Sequence, residues 1–347
     1  MIGNLVLETR GLAIGYRRPG HPVRILADGI KVALRAGQFV CLLGPNGTGK
    51  STLIRTLAGM QTPISGAIFV AGDPLHALST RKLAKRMSLV LTQPISVGMM
   101  PVISFVALGR HPYTNWIGKL RREDEEVVRR AVADVSIEAL VYRPLCELSD
   151  GERQKVKIAR ALAQEPQVMI LDEATAFLDL PRRVELMSLL QRLAHESGRA
   201  ILLSTHDLDL ALRWADRLWL LPPGGPLREG IPEALVLDDA FSSTFADNEI
   251  AFDKEAGSFV VASRERGTVA LHGGGVPAIW TYRALERAGY RVSADGASIV
   301  SVEVKLEKER LVWHISGREE RSCESLEGLL AALDQCFAPG KKEALHG

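Results

Sequence analysis

The chain has 347 residues and a formal net charge of +2, long enough to predict two domains and too balanced to give a general case for nucleic-acid binding. Hydrophobic residues at 46% and charged residues at 24% are ordinary for a globular protein, and no apolar run approaches the ~20 residues of a membrane-spanning helix. Met1 to Arg10 lacks the basic-then-apolar pattern of a signal peptide, and Cys41, Cys146, Cys323 and Cys336 form no C-x-x-C pair, so the expectation is a cytosolic protein with reduced, structural thiols.

Residues 4–43 alternate short β-like runs with turn signals, Arg18-Pro19-Gly20 among them. The apolar run Phe39-Val40-Cys41-Leu42-Leu43 leads into Gly44-Pro45-Asn46-Gly47-Thr48-Gly49-Lys50-Ser51, and a helix-compatible run continues to Leu57. The octapeptide fits G-x-x-x-x-G-K-[ST], in the strand–loop–helix order that a phosphate-binding loop requires. Its glycines let backbone N–H groups converge on phosphate oxygens with no Cβ in the way. The helix points its partially positive N-terminus at the same anion. Lys50 is expected to reach the β- and γ-phosphates of ATP and Ser51 to ligate Mg2+. Thr52 completes the expected nucleotide-binding run 44–52.

Further along, 66–70 reads as a strand, 81–87 as a short basic helix and 88–91 as a buried strand ending at Gln93-Pro94. Helices are expected over 103–108 and 123–140, separated by a loop holding Pro112, Tyr113 and Trp116. A helix over 151–164, a buried strand over 168–171, a helix over 182–196 and a strand over 200–203 follow. Apolar strands alternating with helices predict a mainly parallel, covered sheet. Pro222-Pro223-Gly224-Gly225-Pro226 is a turn, and the stretch after Asp238 reads as a connection. A small α+β unit then begins, with strands over 258–263, 268–272, 298–305 and 310–315 and helices over 277–288 and 325–335. Leu326, Leu329, Leu330 and Leu333 place a one-sided apolar stripe on the last helix, expected to pack on its own sheet. His272-Gly273-Gly274-Gly275 lacks the Lys-Ser/Thr of an anion loop and reads as a tight turn before Pro277.

Asp172 and Glu173 end the apolar run 168–171. An acid at that place beside a phosphate loop can hold the Mg2+ shell, which suits Asp172. Its neighbour Glu173 can orient and deprotonate an attacking water. Ser149 and Glu152 form a capping box at the start of the helix at 151. The whole stretch Leu148-Ser149-Asp150-Gly151-Glu152-Arg153-Gln154 also resembles the LSGGQ signature loop of ATP-binding-cassette ATPases. That resemblance covers about residues 4–235 and orders the other motifs. It implies that Ser149 and Gly151 contact the γ-phosphate held by an opposite subunit. It makes Leu178-Asp179 a D-loop and His206 a switch histidine on the γ-phosphate. Gln93 becomes a glutamine-loop residue that ligates Mg2+ and senses the γ-phosphate, and Tyr16 an adenine-stacking aromatic. The chain departs from the pattern at Ala174, usually proline, and at Asp150, often glycine.

The implied fold is α/β: a P-loop NTPase of the ABC ATPase type, with a RecA-like core, an antiparallel β subdomain and a helical subdomain at about 95–165. The expected domains are 1–240 for the cassette, 241–257 for a linker and 258–347 for a C-terminal accessory α+β domain, regulatory or dimer-stabilising. Val106-Ala107-Leu108-Gly109-Arg110-His111-Pro112-Tyr113 resembles the ALGR-x-P segment of ATPases that energise uptake of ferric siderophores, haem or cobalamin. The resemblance implies ATP and Mg2+ as cofactors, and a homodimer of ATPase subunits peripheral on the cytoplasmic membrane face. The implied partners are polytopic permease subunits and a periplasmic or extracellular substrate-binding protein acting through them. A permease is expected to dock along 94–118, where Pro94, Met99, Met100, Tyr113 and Trp116 lie. A soluble cassette ATPase acting on nucleic acid or a protein assembly is the alternative. The single phosphate loop and the lack of C-x-x-C pairs or a long heptad run weigh against it.

Overall fold

The structure is a computed structural model that describes residues 4–17, 19–92, 98–115, 118–245, 250–254, 257–261, 266–293, 300–307, 310–317 and 320–337. The chain divides into two compact units, Met1–Val260 and Val261–Gly347.

The first unit is built on a six-stranded sheet. Its strands lie in the order Arg228–Gly230, Arg217–Leu220, Phe39–Leu43, Ala200–Ser204, Val168–Asp172 and Met87–Val90. The last five run parallel, and the edge strand Arg228–Gly230 is antiparallel. Phe39–Leu43, Val168–Asp172 and Ala200–Ser204 are buried at every residue, as a parallel sheet covered on both faces requires. The helices Lys50–Leu57, Leu180–Ser197 and Leu208–Trp214 pack against it. A second, antiparallel sheet orders Arg24–Ile30, Leu5–Tyr16, Ser65–Val70 and Asp73–Pro74, with Ala33–Arg35 also paired to Leu5–Tyr16.

Three helices, Val102–Ala107, Arg122–Asp134 and Asp150–Ala163, form the helical part. They share a core that includes Phe105, Val128, Val132, Ile158 and Leu162. The helix expected over 123–140 stops at Asp134, because Ser136 takes a left-handed φ of 56° that breaks the ladder. The basic helix expected over 81–87 is the shorter Thr80–Ala84, and Met87 already belongs to the next strand. The helix expected over 182–196 starts earlier, at Leu180, because the Asp179 side chain accepts from Arg182 N and Pro181 suits the first turn.

The segment Val106–Tyr113 is a structural joint. Gly109 permits a close approach, since a Cβ there would lie 2.2 Å from Arg160 O. Arg110 is buried and donates to Asp124 Oδ1 at 2.9 Å, Ala163 O at 2.9 Å and Glu165 Oε2 at 2.7 Å. Its guanidinium lies 3.8 Å from the Tyr113 ring centroid, and Tyr113 OH donates to Gln164 O at 3.0 Å. Tyr113 and the partly buried Met100 are thus engaged internally, against the expectation that both line a docking surface. Met99 and Leu108 are exposed, whereas Pro94 and Trp116 lie outside the described residues.

The segment expected as a linker over 241–257 carries structure. Helix Ala240–Phe245 runs into it from the cassette and strand Ile250–Asp253 lies within it, and that strand pairs with Ser258–Val261. Phe241, Phe252 and Phe259 join the first unit's core, with ring centroids 5.0 and 5.1 Å apart.

The second unit has a five-stranded sheet ordered Tyr290–Ser293, Gly267–His272, Val300–Glu307, Arg310–Ser316 and Arg321–Cys323. The first three are parallel and the rest antiparallel. The helices Gly275–Arg287 and Leu326–Phe337 complete it. Leu329 and Leu333 are fully buried with Val269, Leu285, Val302 and Ile315, and Leu326 and Leu330 pack beside them, so the stripe faces this unit's own sheet. Trp313 Nε1 donates to Thr281 Oγ1 at 2.7 Å, which gives its buried indole N–H a partner. Among the described residues no helix is long and apolar enough to cross a membrane.

Candidate nucleotide site

The loop after Phe39–Leu43 is shaped by its glycines. A Cβ on Gly44 would meet Leu221 O at 2.4 Å, and Gly47 and Gly49 adopt φ of 80° and 106°. Only glycine takes these geometries without strain. Gly49 is the N-cap of helix Lys50–Leu57. Thr48 Oγ1 donates to Pro45 O at 3.0 Å and pins the turn. Lys50 is buried, with Nζ donating to Gly44 O at 2.8 Å and Pro45 O at 3.1 Å. Burial holds its ammonium below the ordinary lysine range, opposed by the charges of Glu173 and Asp172.

An open cavity of about 270 Å3 lies along this loop, lined by Tyr16, Asn46, Lys50, Ser51, Thr52 and Glu173 among others. Tyr16 OH lies 2.9 Å from Thr52 Oγ1, so the ring is tied to the helix that begins at Lys50. Arg24 and Leu26 also line the cavity and were not picked out from the sequence. The signal for Arg24 is register: it pairs directly with Tyr16 across the antiparallel strands.

The acid pair sits at the end of Val168–Asp172. Asp172 is buried, and its Oδ1 has no hydrogen-bond partner among the described residues. Burial raises its pKa, the charge of Glu173 adds to this, and the Ser51 and Ser204 hydroxyls pull the other way. A buried carboxylate oxygen without a donor, beside the Ser51 hydroxyl, is an oxygen set that fits a hard divalent cation. Glu173 takes a left-handed φ of 49°, and its N–H is bonded to Ser204 O at 3.0 Å. Its Oε1 lies 2.9 Å from His206 Nε2, which brings these two predicted residues together. Thr175 Oγ1 and Thr205 Oγ1, 3.1 Å apart, tie the two turns beneath that pair. Ala174 is buried in the core cluster. Gln93 lies outside the described residues.

Ser149, Gly151 and Asp179 are not part of that cavity's lining. Ser149 caps helix Asp150–Ala163 in a complete capping box, with Ser149 N donating to Glu152 Oε2 at 2.8 Å. Asp179 caps Leu180–Ser197. Gly151 and Leu178 flank a separate, smaller cavity between these two helices.

Comparison with known proteins is consistent with this geometry. The family model described as ABC transporter matches residues 27–176, and the one described as Iron ABC transporter C-terminal domain matches residues 266–334. The iron(3+)-hydroxamate import ATP-binding protein FhuC of Bacillus subtilis is 34% identical over 71% of this chain and 90% of its own length. The cobalamin import ATP-binding protein BtuD of Halobacterium salinarum is 38% identical over 78% of this chain and 69% of its own. A solved ABC transporter, assigned to the metal-chelate type and inward-facing, contains a chain that superposes with a TM-score of 0.61 at 27% identity. That match covers 74% of this chain and 96% of the other. With the glycine-rich loop, Asp172, Glu173 and His206 at the ends of strands of one sheet, this chain belongs to the ABC transporter ATP-binding subunits of the iron-siderophore and cobalamin importer type, ATPases that energise transport.

Proposed function

We propose that this chain hydrolyses ATP as a homodimer on the cytoplasmic face of a membrane to drive uptake of an iron chelate through a partner permease. The observation that carries the hydrolytic part is the Glu173–His206 pair, 2.9 Å apart, at the edge of the cavity that holds Lys50. The match of residues 266–334 to the iron-transporter C-terminal domain favours an iron chelate over cobalamin.

Lys50 neutralises charge on the β- and γ-phosphates, and the glycine-shaped backbone supplies N–H donors to the same oxygens. Tyr16 stacks on the adenine. Ser51, Asp172 and Gln93 would hold Mg2+, which supplies charge neutralisation on the phosphate oxygens when bound. Glu173 accepts the proton of the attacking water, and His206 holds the Glu173 carboxylate in place and contacts the γ-phosphate. Ser149, Gly151 and Asp179, which do not line this chain's own cavity, serve the nucleotide of the second copy. A substrate-binding protein outside the membrane delivers the chelate to the permease.

Met99, 73% exposed and within 3.7 Å of the exposed Cys146 (sulfur to sulfur), is the apolar, adaptable side chain best placed for the permease. Met99→Glu is expected to preserve basal ATPase activity while reducing copurification with the permease and uptake in reconstituted vesicles. Normal uptake with Met99→Glu and with a charge at Leu108 would remove this surface from the account.

A further inference from the structure

The two loops that serve the second copy's nucleotide come from different helices, yet a compact ionic clasp joins those helices in this chain. Glu185 of helix Leu180–Ser197 accepts from Lys155 Nζ of helix Asp150–Ala163 at 2.5 Å. Its other oxygen accepts from Arg182 Nη1 at 2.8 Å. These two donors hold the Glu185 carboxyl below its ordinary range. The Arg182 stem lies over the signature loop itself, with its Cδ 3.6 Å from where a Cβ on Gly151 would stand. Arg182 N is the donor to the Asp179 cap. Arg182 thus joins the cap of the D-loop helix through its backbone N–H and lays its side chain over the signature glycine.

The rest of the seam holds loosely. A cavity lies between the helices, lined by Gly151, Gln154, Leu178 and Leu186 as well as the ionic residues. Gln154 Nε2 is buried there with no hydrogen-bond partner among the described residues. Leu178 and Leu186 are buried in the core cluster, but the void and the orphaned amide leave the seam incompletely packed, so the charged groups share in fixing the relative placement of the two helices.

We propose that Glu185 is a positioning residue for ATP hydrolysis: through Lys155 and Arg182 it locks Ser149–Gly151 and Leu178–Asp179 into one rigid unit that is presented to the nucleotide of a second copy. The proposal rests on the reading that these loops act across a dimer. Loss of the clasp leaves this chain's own ATP cavity intact but misplaces the loops that complete the partner's site. Misplacement of that order lowers turnover rather than substrate binding.

The test uses the purified full chain. Glu185→Ala and Lys155→Met are each expected to lower kcat about tenfold, with ATP affinity and the midpoint of thermal unfolding near the wild-type values. The Lys155→Met/Glu185→Met double variant is expected to be no worse than either single, because one shared interaction is lost only once. Glu185→Gln, which keeps an acceptor oxygen, is expected to recover part of the rate. Ser149→Ala serves as the control for the underlying reading. If Ser149→Ala slows turnover but the Glu185 and Lys155 variants do not, or if their effects are additive, the clasp is overturned. If Ser149→Ala has no effect either, the reading of loops acting across a dimer fails first. A variant that unfolds early is replaced by the one on the opposite side of the same pair, whose kcat decides.

Discussion

Lys50 is the side chain on which the proposed nucleotide site turns. Its Nζ is buried among the loop carbonyls Gly44 O and Pro45 O, at the place where a phosphate-loop lysine meets the β/γ-phosphates. Lys50→Ala is therefore expected to lower ATP affinity at least tenfold, a loss of about 1.4 kcal/mol or more. Equilibrium binding of ATP with and without Mg2+ checks it, and unchanged affinity would move the nucleotide elsewhere. The residues proposed to touch the reaction were legible in the sequence because each follows closely on a buried strand: Lys50 after 39–43, Glu173 after 168–172, His206 after 200–204. What no spacing could show is the strain at Glu173. A left-handed φ of 49° at a non-glycine residue costs free energy. Here the Ser204 carbonyl helps to hold it and turns the carboxylate toward His206. Arg24 escaped for a related reason, since its place beside Tyr16 depends on strand register.

Among elements, the joint at Val106–Tyr113 separates recognition from explanation. The sequence marks the segment by resemblance; the structure shows why these residue types are needed. Gly109 allows the close approach to the Arg160 carbonyl, and Arg110 satisfies three acceptors on two other segments. Burial alone would raise the Asp124 pKa, but the Arg121 N–H and the Arg110 guanidinium outweigh it and hold the carboxyl below its ordinary range. Asp124 therefore adds stability above the ordinary aspartate range, and this is lost as pH falls through its lower folded value. Arg110→Ala leaves Asp124 buried without its cation and is expected to cost about 3–5 kcal/mol, read from urea unfolding. A change below ~1 kcal/mol would mean that the pair behaves as a surface contact. Short elements were the least legible. Arg217–Leu220, Tyr290–Ser293 and Arg321–Cys323 span three or four residues. So short a run carries too little periodicity to stand apart from a loop, and pairing with neighbours defines it.

At the scale of the whole molecule, the two units have separate cores, and the segment before the second unit belongs to the first. Phe252 and Phe259 meet edge to face in the cassette's aromatic cluster, and Ser258–Val261 pairs with Ile250–Asp253. A chain ending after Val261 is therefore expected to fold and bind ATP like the full chain, whereas one ending after Gly257 loses a strand and the Phe259 ring and should unfold several degrees earlier. Thermal unfolding of both truncations, with ATP binding as the second readout, distinguishes them, and equal midpoints would deny Phe259 its place in that core. Glu173→Gln tests the molecule's work as a whole, because it keeps the size and hydrogen bonding of the side chain and removes the base. The decisive measurement is uptake of a ferric hydroxamate, with cobalamin alongside, into vesicles containing the permease and either the wild-type chain or Glu173→Gln. The account predicts ATP-dependent uptake of the iron chelate with the wild-type chain, and ATP binding without uptake with the variant. Equal uptake with both chains, or wild-type uptake of cobalamin in place of the iron chelate, would contradict it.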